Sequence, residues 1–134
     1  MSNERILVIE NDPVLLASLL PTLREEGYRA STATTGAEAI QLIRAEPPDL
    51  AIIDIGLPRA DPSDTLADGL AVLSWLRWAV PGKAIPAIIY TATLSPAIKA
   101  RAKASGAFAV FQKDCELRDL LTSIRAALAA SLHA

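Results

Sequence analysis

The chain has 134 residues, of which 51% are hydrophobic and 21% charged, and its formal net charge is −2. This composition is typical of a folded globular domain and not of a disordered chain. The slight acidic excess argues against a nucleic-acid-binding surface, because such domains usually carry an excess of Lys and Arg. A single cysteine, Cys115, excludes an internal disulfide, and a single histidine, His133, nearly excludes His-based catalysis or a His-rich metal site.

The predicted elements alternate between strand and helix along the whole chain. Apolar runs bounded by turn residues predict five strands, which we place at 5–9, 28–34, 50–53, 87–91 and 108–112. Apolar stripes at helical spacing predict five helices, which we place at 13–26, 36–46, 69–80, 96–105 and 117–128.

Five βα units joined by short connections predict right-handed crossovers and a parallel sheet with helices on both faces. The predicted fold class is therefore α/β, a single doubly wound five-stranded parallel sheet with five helices. We find no repeat, linker or second domain, and we expect residues 1–134 to form one domain. Because the sequence has neither a signal-peptide pattern nor a long apolar span, we expect a cytoplasmic protein that makes no membrane contact.

Polar side chains follow the predicted strands at the point where each strand ends. These residues are Glu10, Asn11 and Asp12 after the first strand, Asp54 after the third, Thr91 in the fourth and Lys113 after the fifth. The carboxyl ends of parallel strands meet at one edge of the sheet, where ligands of open α/β sheets bind. We therefore expect these side chains to converge on one acidic pocket.

The chemistry of this pocket suits phosphoryl transfer. Clustered carboxylates repel one another, and a divalent cation with oxygen ligands, such as Mg²⁺, relieves that repulsion. A carboxylate such as Asp54 is a usable nucleophile toward an activated phosphoryl group. Lys113 and Thr91 can supply the positive charge and the hydrogen-bond donor that phosphoryl transfer requires. From its own segment alone, Asp54 is equally consistent with a carboxylate that only caps a turn.

Over nearly its full length the chain resembles a response-regulator receiver domain of two-component signalling, which has the flavodoxin-like or CheY-like (βα)5 fold. The matching segments are 6–13, 54–58, Asp68-Gly69, 89–92 and Gly106-Ala107 leading to Lys113. Each segment alone is a weak signal, whereas all of them in this order are a strong one.

The resemblance implies a role for each residue at the predicted edge. Asp54 is then the phosphoacceptor, Thr91 the switch hydroxyl, and Lys113 the partner of the phosphorylated carboxylate. The implied ligands of Mg²⁺ are Glu10, Asn11, Asp54 and the backbone carbonyl of Gly56. We expect a phosphoacceptor switch that is not an enzyme, beyond slow self-phosphorylation and dephosphorylation. The implied partners are a sensor histidine kinase or phosphotransfer protein, together with an output protein or a second copy, and this chain itself is not expected to bind nucleic acid.

Two positions depart from the family pattern and keep an alternative open. Asn11 stands where the family usually has a second acid, so we expect weak Mg²⁺ binding. Val110 stands where many receivers have an aromatic switch residue. The alternative is a pseudo-receiver, which keeps the fold but acts as an interaction scaffold independent of phosphorylation.

Two enzyme or cofactor classes fit the sequence poorly. A hydrolase of the haloacid dehalogenase kind requires a second aspartate two positions after its nucleophile, where Gly56 stands. A dinucleotide-binding domain requires a glycine-rich first turn, whereas the acids of Glu10 to Pro13 would repel a pyrophosphate.

The predicted loop that begins at Pro58 is longer than the family's usual loop, and it leads into a helix with two tryptophans. Trp75 and Trp78 lie on the side opposite the leucine stripe of that helix. Either the loop covers these tryptophans, or they form a partner or dimer surface beside the phosphorylation site.

Overall fold

The computed structural model describes residues 3–57 and 69–132, and the elements in these two ranges follow the predicted order. The strands are β1 Arg5–Ile9, β2 Arg29–Ala33, β3 Leu50–Ile53, β4 Ala87–Thr91 and β5 Ala109–Gln112. The helices are α1 Pro13–Glu25, α2 Gly36–Ala45, α3 Gly69–Ala79, α4 Pro96–Ala104 and α5 Leu117–Leu132. No helix in these two ranges is long and apolar enough to cross a membrane.

All the strands are parallel and form one sheet in the order β2-β1-β3-β4-β5. The predicted doubly wound α/β fold is thereby confirmed. Since β1 pairs with both β2 and β3, the direction of winding reverses at β1, and a crevice opens at the carboxyl ends of β1 and β3. Glu10 directly follows β1 and Asp54 directly follows β3, so both lie at this crevice.

The core consists of two hydrophobic layers, one on each face of the sheet. On one face, the side chains of Leu7, Ile9, Ile53 and Ile89 pack against α2 and α3. On the other face, those of Ile6, Val8, Ile52 and Ile88 pack against α1 and α5. The central strands are buried on both faces, and this explains why their sequences are continuous apolar runs instead of alternating ones.

Asp12 fixes the start of α1. Its Oδ1 accepts hydrogen bonds from the backbone N–H groups of Val14, at 3.0 Å, and Leu15, at 3.4 Å. Pro13 occupies the first helical position, where a backbone N–H would have no partner within the helix, so the lack of one costs no hydrogen bond. The chain therefore turns from strand into helix immediately after Glu10, which keeps that carboxylate at the edge of the sheet.

Candidate functional site

Asp54 follows β3 directly, and only 7% of the residue is exposed. Its backbone N–H donates to the carbonyl of Ile9 at 3.0 Å, which continues the pairing of β3 with β1 by one residue. Its Oδ1 accepts a hydrogen bond from the N–H of Gly56 at 3.2 Å. Its Oδ2 lies 3.1 Å from the ammonium of Lys113. The carboxylate is therefore held in a fixed direction at the mouth of the crevice.

Lys113 joins the two acids of the site. Its Nζ lies 2.8 Å from Oε2 of Glu10 and 3.1 Å from Oδ2 of Asp54. Burial by itself lowers the pKa of this ammonium, but its hydrogen bonds to Glu10 and Asp54 outweigh that effect and raise the pKa. Lys113 is therefore charged at neutral pH, and its ammonium lies between the two acids of the site.

Glu10 is the most enclosed acid of the site, with 2% of the residue exposed. Its Oε1 accepts hydrogen bonds from the backbone N–H groups of Asn11, at 3.1 Å, and Asp12, at 3.0 Å. Burial raises the pKa of Glu10, and the hydrogen bonds from Lys113 and Asp12 counteract the rise only in part. Glu10 is thus a buried carboxylate that depends on Lys113 for its charge balance.

Thr91 ends β4 and is buried beside the strand that carries Asp54. Its carbonyl oxygen accepts a hydrogen bond from the backbone N–H of Lys113 at 2.8 Å. The fold therefore brings Glu10, Asp54, Thr91 and Lys113 to one edge of the sheet.

The other two polar residues after β1 differ from Glu10. Asn11 is exposed at the rim of the site. Asp12 is also exposed, and its Oδ1 is used by the helix cap of α1. Asn11 is thus accessible to solvent, whereas the Asp12 carboxylate already has partners in the helix.

The donor set at this edge suits Mg²⁺ in its chemistry. Within residues 3–57 and 69–132, no group of three or more Asp, Glu, His or Cys side chains is arranged to hold a metal ion. Mg²⁺ needs no such group, because it prefers oxygen ligands, keeps several waters and usually takes one or two protein carboxylates. The carboxylates of Glu10 and Asp54, with the Asn11 amide and the Gly56 carbonyl nearby in sequence, meet that requirement.

Gly69 packs directly against the backbone of Asp54. A Cβ atom at Gly69 would lie 2.2 Å from the carbonyl oxygen of Asp54 and 2.7 Å from Cγ2 of Ile53. Its N–H donates to the carbonyl of Ile55 at 3.1 Å, so the start of α3 is fastened to the segment after β3. Sequence reasoning identified Asp68-Gly69 only as a family motif and missed this contact. A glycine in the first turn of a helix was the sequence feature that could have indicated such close packing.

Val110 lies in β5 opposite Ile89 and packs, half-buried, against the hydrophobic layer of α2 and α3. Its short branched side chain is part of that layer. The position that the resemblance assigns to a switch residue is therefore a packing position here.

The two tryptophans of α3 have different environments. Trp75 is half-buried against the core, and the Arg44 guanidinium lies 5.7 Å from its ring centre. Trp78 is 83% exposed. The prediction that both tryptophans lie on an outward side of the helix is therefore wrong for Trp75, because the core and Arg44 partly cover it. The predicted loop from 58 to 68 lies outside the described residues.

Comparisons with known proteins agree with the observed fold. The model of the response regulator receiver domain family matches residues 6–125. The chain is 32% identical to the transcriptional regulatory protein KdpE of Mycobacterium tuberculosis over 123 residues, which are 92% of this chain and 50% of that protein. It is 31% identical over 126 residues to PdtaR of the same organism, covering 92% of this chain and 56% of PdtaR. The chain thus spans about half the length of the curated relatives it matches.

Solved structures show the same fold. A CheY-like receiver domain protein from Methanospirillum hungatei superimposes with a TM-score of 0.86 at 30% identity, covering 98% of each chain. The signal receiver domain of a putative Luxo repressor protein from Vibrio parahaemolyticus gives a TM-score of 0.84 at 27% identity, covering 97% of this chain and 93% of that one. The chain therefore belongs to the response regulator receiver domain family of two-component signalling.

Proposed function

We propose that this receiver accepts a phosphoryl group on Asp54 from a histidine kinase or phosphotransfer protein, and that this changes its binding to an output protein or a second copy. The observation that carries the proposal is the placement of Asp54 at the end of a buried strand, with its Oδ2 3.1 Å from the Lys113 ammonium. Membership of the receiver family supports it. We further propose that the 134 residues form one domain that acts in the cytoplasm as a switch and not as an enzyme.

Each residue of the site has a task in this transfer. A carboxylate oxygen of Asp54 forms the new bond to phosphorus while the bond between phosphorus and the donor's atom breaks. Lys113 balances the negative charge that collects on the carboxylate and the phosphoryl oxygens, and the Thr91 hydroxyl donates to one of those oxygens. Glu10, Asp54, Asn11 and the Gly56 carbonyl would hold Mg²⁺, which supplies further positive charge to the phosphoryl oxygens.

Intact-mass measurement tests the proposal directly. The protein is incubated with a small-molecule phosphodonor and Mg²⁺, and wild type is compared with Asp54→Asn. We expect one phosphoryl adduct on wild type and none on the variant. Asp114→Asn removes an exposed acid close to Lys113 and should keep the adduct. Absence of an adduct on wild type at every Mg²⁺ concentration would instead support the pseudo-receiver.

Replacing Asn11 with aspartate should strengthen Mg²⁺ binding. The change adds a negative charge at the rim beside Glu10 and Asp54, and a unit charge near a bound cation contributes on the order of 1 kcal/mol or more. We therefore expect the Mg²⁺ concentration for half-maximal phosphorylation to fall by about tenfold. Titrating Mg²⁺ in the phosphodonor assay measures this half-maximal concentration.

Asn3→Asp is the matched control for this prediction. It adds the same charge just before β1, at the opposite end of that strand from Glu10. The control should leave the Mg²⁺ dependence unchanged. Equal Mg²⁺ dependence in wild type and Asn11→Asp would show that position 11 takes no part in Mg²⁺ binding.

A further inference from the structure

Two consecutive residues at the end of β4 hold the main chain of Lys113 from both sides. The carbonyl of Thr91 accepts the N–H of Lys113 at 2.8 Å. The Tyr90 hydroxyl donates to the carbonyl of Lys113 across 3.4 Å, a long hydrogen bond. Consecutive side chains of a strand point to opposite faces, so the Tyr90 side chain extends on the face that α1 and α5 cover. The main chain of Lys113 thus bonds to β4 through both its N–H and its carbonyl.

The packing around Tyr90 holds its hydroxyl in one position. The residue is 3% exposed and lies in the layer of α1 and α5, together with Leu120 and Ile124. Burial, and then the proximity of Cys115, raise the pKa of Tyr90, so the hydroxyl stays protonated at neutral pH. Because a carbonyl can only accept, a protonated hydroxyl is the form that can hold the Lys113 carbonyl in place.

Lys113 lies where the chain leaves β5 and has not yet entered α5. The next fixed bond of this turn is between the N–H of Cys115 and the carbonyl of Gln112, at 3.0 Å. The direction of the Lys113 side chain therefore depends on how this short turn is anchored. Its ammonium contacts two buried acids, so a small rotation of the turn would change both contacts at once.

We propose that Tyr90 is a positioning residue for Lys113: its hydroxyl holds the Lys113 carbonyl so that the ammonium stays between Glu10 and Asp54. Its effect on phosphorylation rests on the proposed function, whereas its effect on the Lys113 side chain does not. We therefore assign Tyr90 a positioning role and no contact with the phosphoryl group.

The first test removes only the hydroxyl. Tyr90→Phe keeps the buried ring and should slow the appearance of the phosphoryl adduct about fivefold at saturating Mg²⁺, the loss expected for one hydrogen bond. The matched control is Tyr28→Phe, because Tyr28 is buried in the same layer but lies before β2, at the other end of the sheet. The control should keep the wild-type rate. An equal slowing in both variants would mean that the Tyr90 hydroxyl matters only for stability.

The second test asks whether Tyr90 acts through Lys113. Adding Tyr90→Phe to a Lys113→Met background should produce no further slowing, because the group that Tyr90 positions is already gone. Independent, multiplying effects of the two changes would overturn the proposal.

The third test needs no phosphoryl transfer. Amine acylation followed by peptide mass spectrometry compares the labelling rate of Lys113 with that of exposed Lys99 as an internal reference. Tyr90→Phe should raise the relative labelling of Lys113 about fivefold, and Tyr28→Phe should leave it unchanged. Unchanged labelling in Tyr90→Phe would overturn the positioning role. If wild type takes up no phosphoryl group, the proposed function fails while this measurement still decides the role of Tyr90.

Discussion

Replacing Gly69 with alanine is expected to lower the free energy of unfolding by about 3 kcal/mol and to prevent phosphoryl uptake on Asp54. The added methyl group would lie 2.2 Å from the Asp54 carbonyl oxygen and 2.8 Å from its carbonyl carbon. These are backbone atoms of a buried segment, so no side-chain rotation can relieve the overlap. Either α3 or the segment that carries Asp54 has to move. Urea unfolding measures the stability, and intact mass measures the uptake.

Whether Gly69→Ala lowers or raises the stability distinguishes steric overlap from helix propensity as the dominant effect. Alanine is the better helix former by about 1 kcal/mol, so propensity alone would predict that Gly69→Ala stabilises the protein. Gly56→Ala is the control for stability, because the nearest atom to its added methyl group is Oδ1 of Asp54 at 4.0 Å. This control should change the stability by less than about 1 kcal/mol. A stabilised Gly69→Ala variant would show that α3 does not press on Asp54.

Replacing Lys113 with methionine should remove the charge balance of the site and lower stability by about 3 kcal/mol at pH 7. The carboxylates of Glu10 and Asp54, which are 2% and 7% exposed as residues, would then share the crevice without a counter-charge. The matched control is Lys83→Met, since Lys83 pairs with Asp49 at 3.5 Å and both side chains are well exposed. An exposed pair of this kind contributes roughly 0–1 kcal/mol, so the control should change little.

The destabilisation by Lys113→Met should depend on pH. Burial already raises the folded-state pKa of Glu10 above its ordinary value of 4.5. A carboxyl group with a raised pKa stabilises the fold fully below its unfolded pKa, and this contribution is lost as pH rises through the folded pKa. Lys113 lowers the pKa of Glu10. Replacing Lys113 therefore raises the pKa of Glu10 further, and the loss of stability with rising pH becomes larger. The difference between wild type and Lys113→Met should therefore be small near pH 4.5 and grow toward pH 7.

A second substitution tests whether unbalanced charge causes the destabilisation by Lys113→Met. Adding Glu10→Gln to Lys113→Met removes one of the two unbalanced charges while keeping a similar shape. The double variant should be more stable than Lys113→Met at pH 7, and its stability should vary less with pH. Unfolding curves between pH 4.5 and 7 measure both effects. A pH-independent destabilisation of Lys113→Met would attribute its loss to packing.

Much of the fold could be predicted from the sequence because its signals are local. The apolar runs at 5–9 and 50–53, the cap at Asp12 and the leucine stripes each depend on neighbouring residues only. Their alternation implies a parallel sheet, and a parallel sheet brings its carboxyl ends to one edge. Glu10, Asp54 and Lys113 could therefore be grouped from the sequence alone.

Tertiary structure alone decided how these groups meet. The strand order places β1 beside β3, and Lys113 contacts both acids at distances that no sequence spacing encodes. Helical periodicity placed Trp75 and Trp78 on one side, yet Arg44 of α2 covers only the first.

The contacts of Gly69 and Tyr90 were also decided in three dimensions. Gly69 meets the backbone of Asp54, and Tyr90 reaches the carbonyl of Lys113, which is 23 residues away along the chain. The sequence by itself determined the alternating elements, the sheet edge and the residues that gather there, because propensity, capping and hydrophobic period act over a few residues. The bonds within the site depend on which distant segments pack together, and only the folded chain sets that.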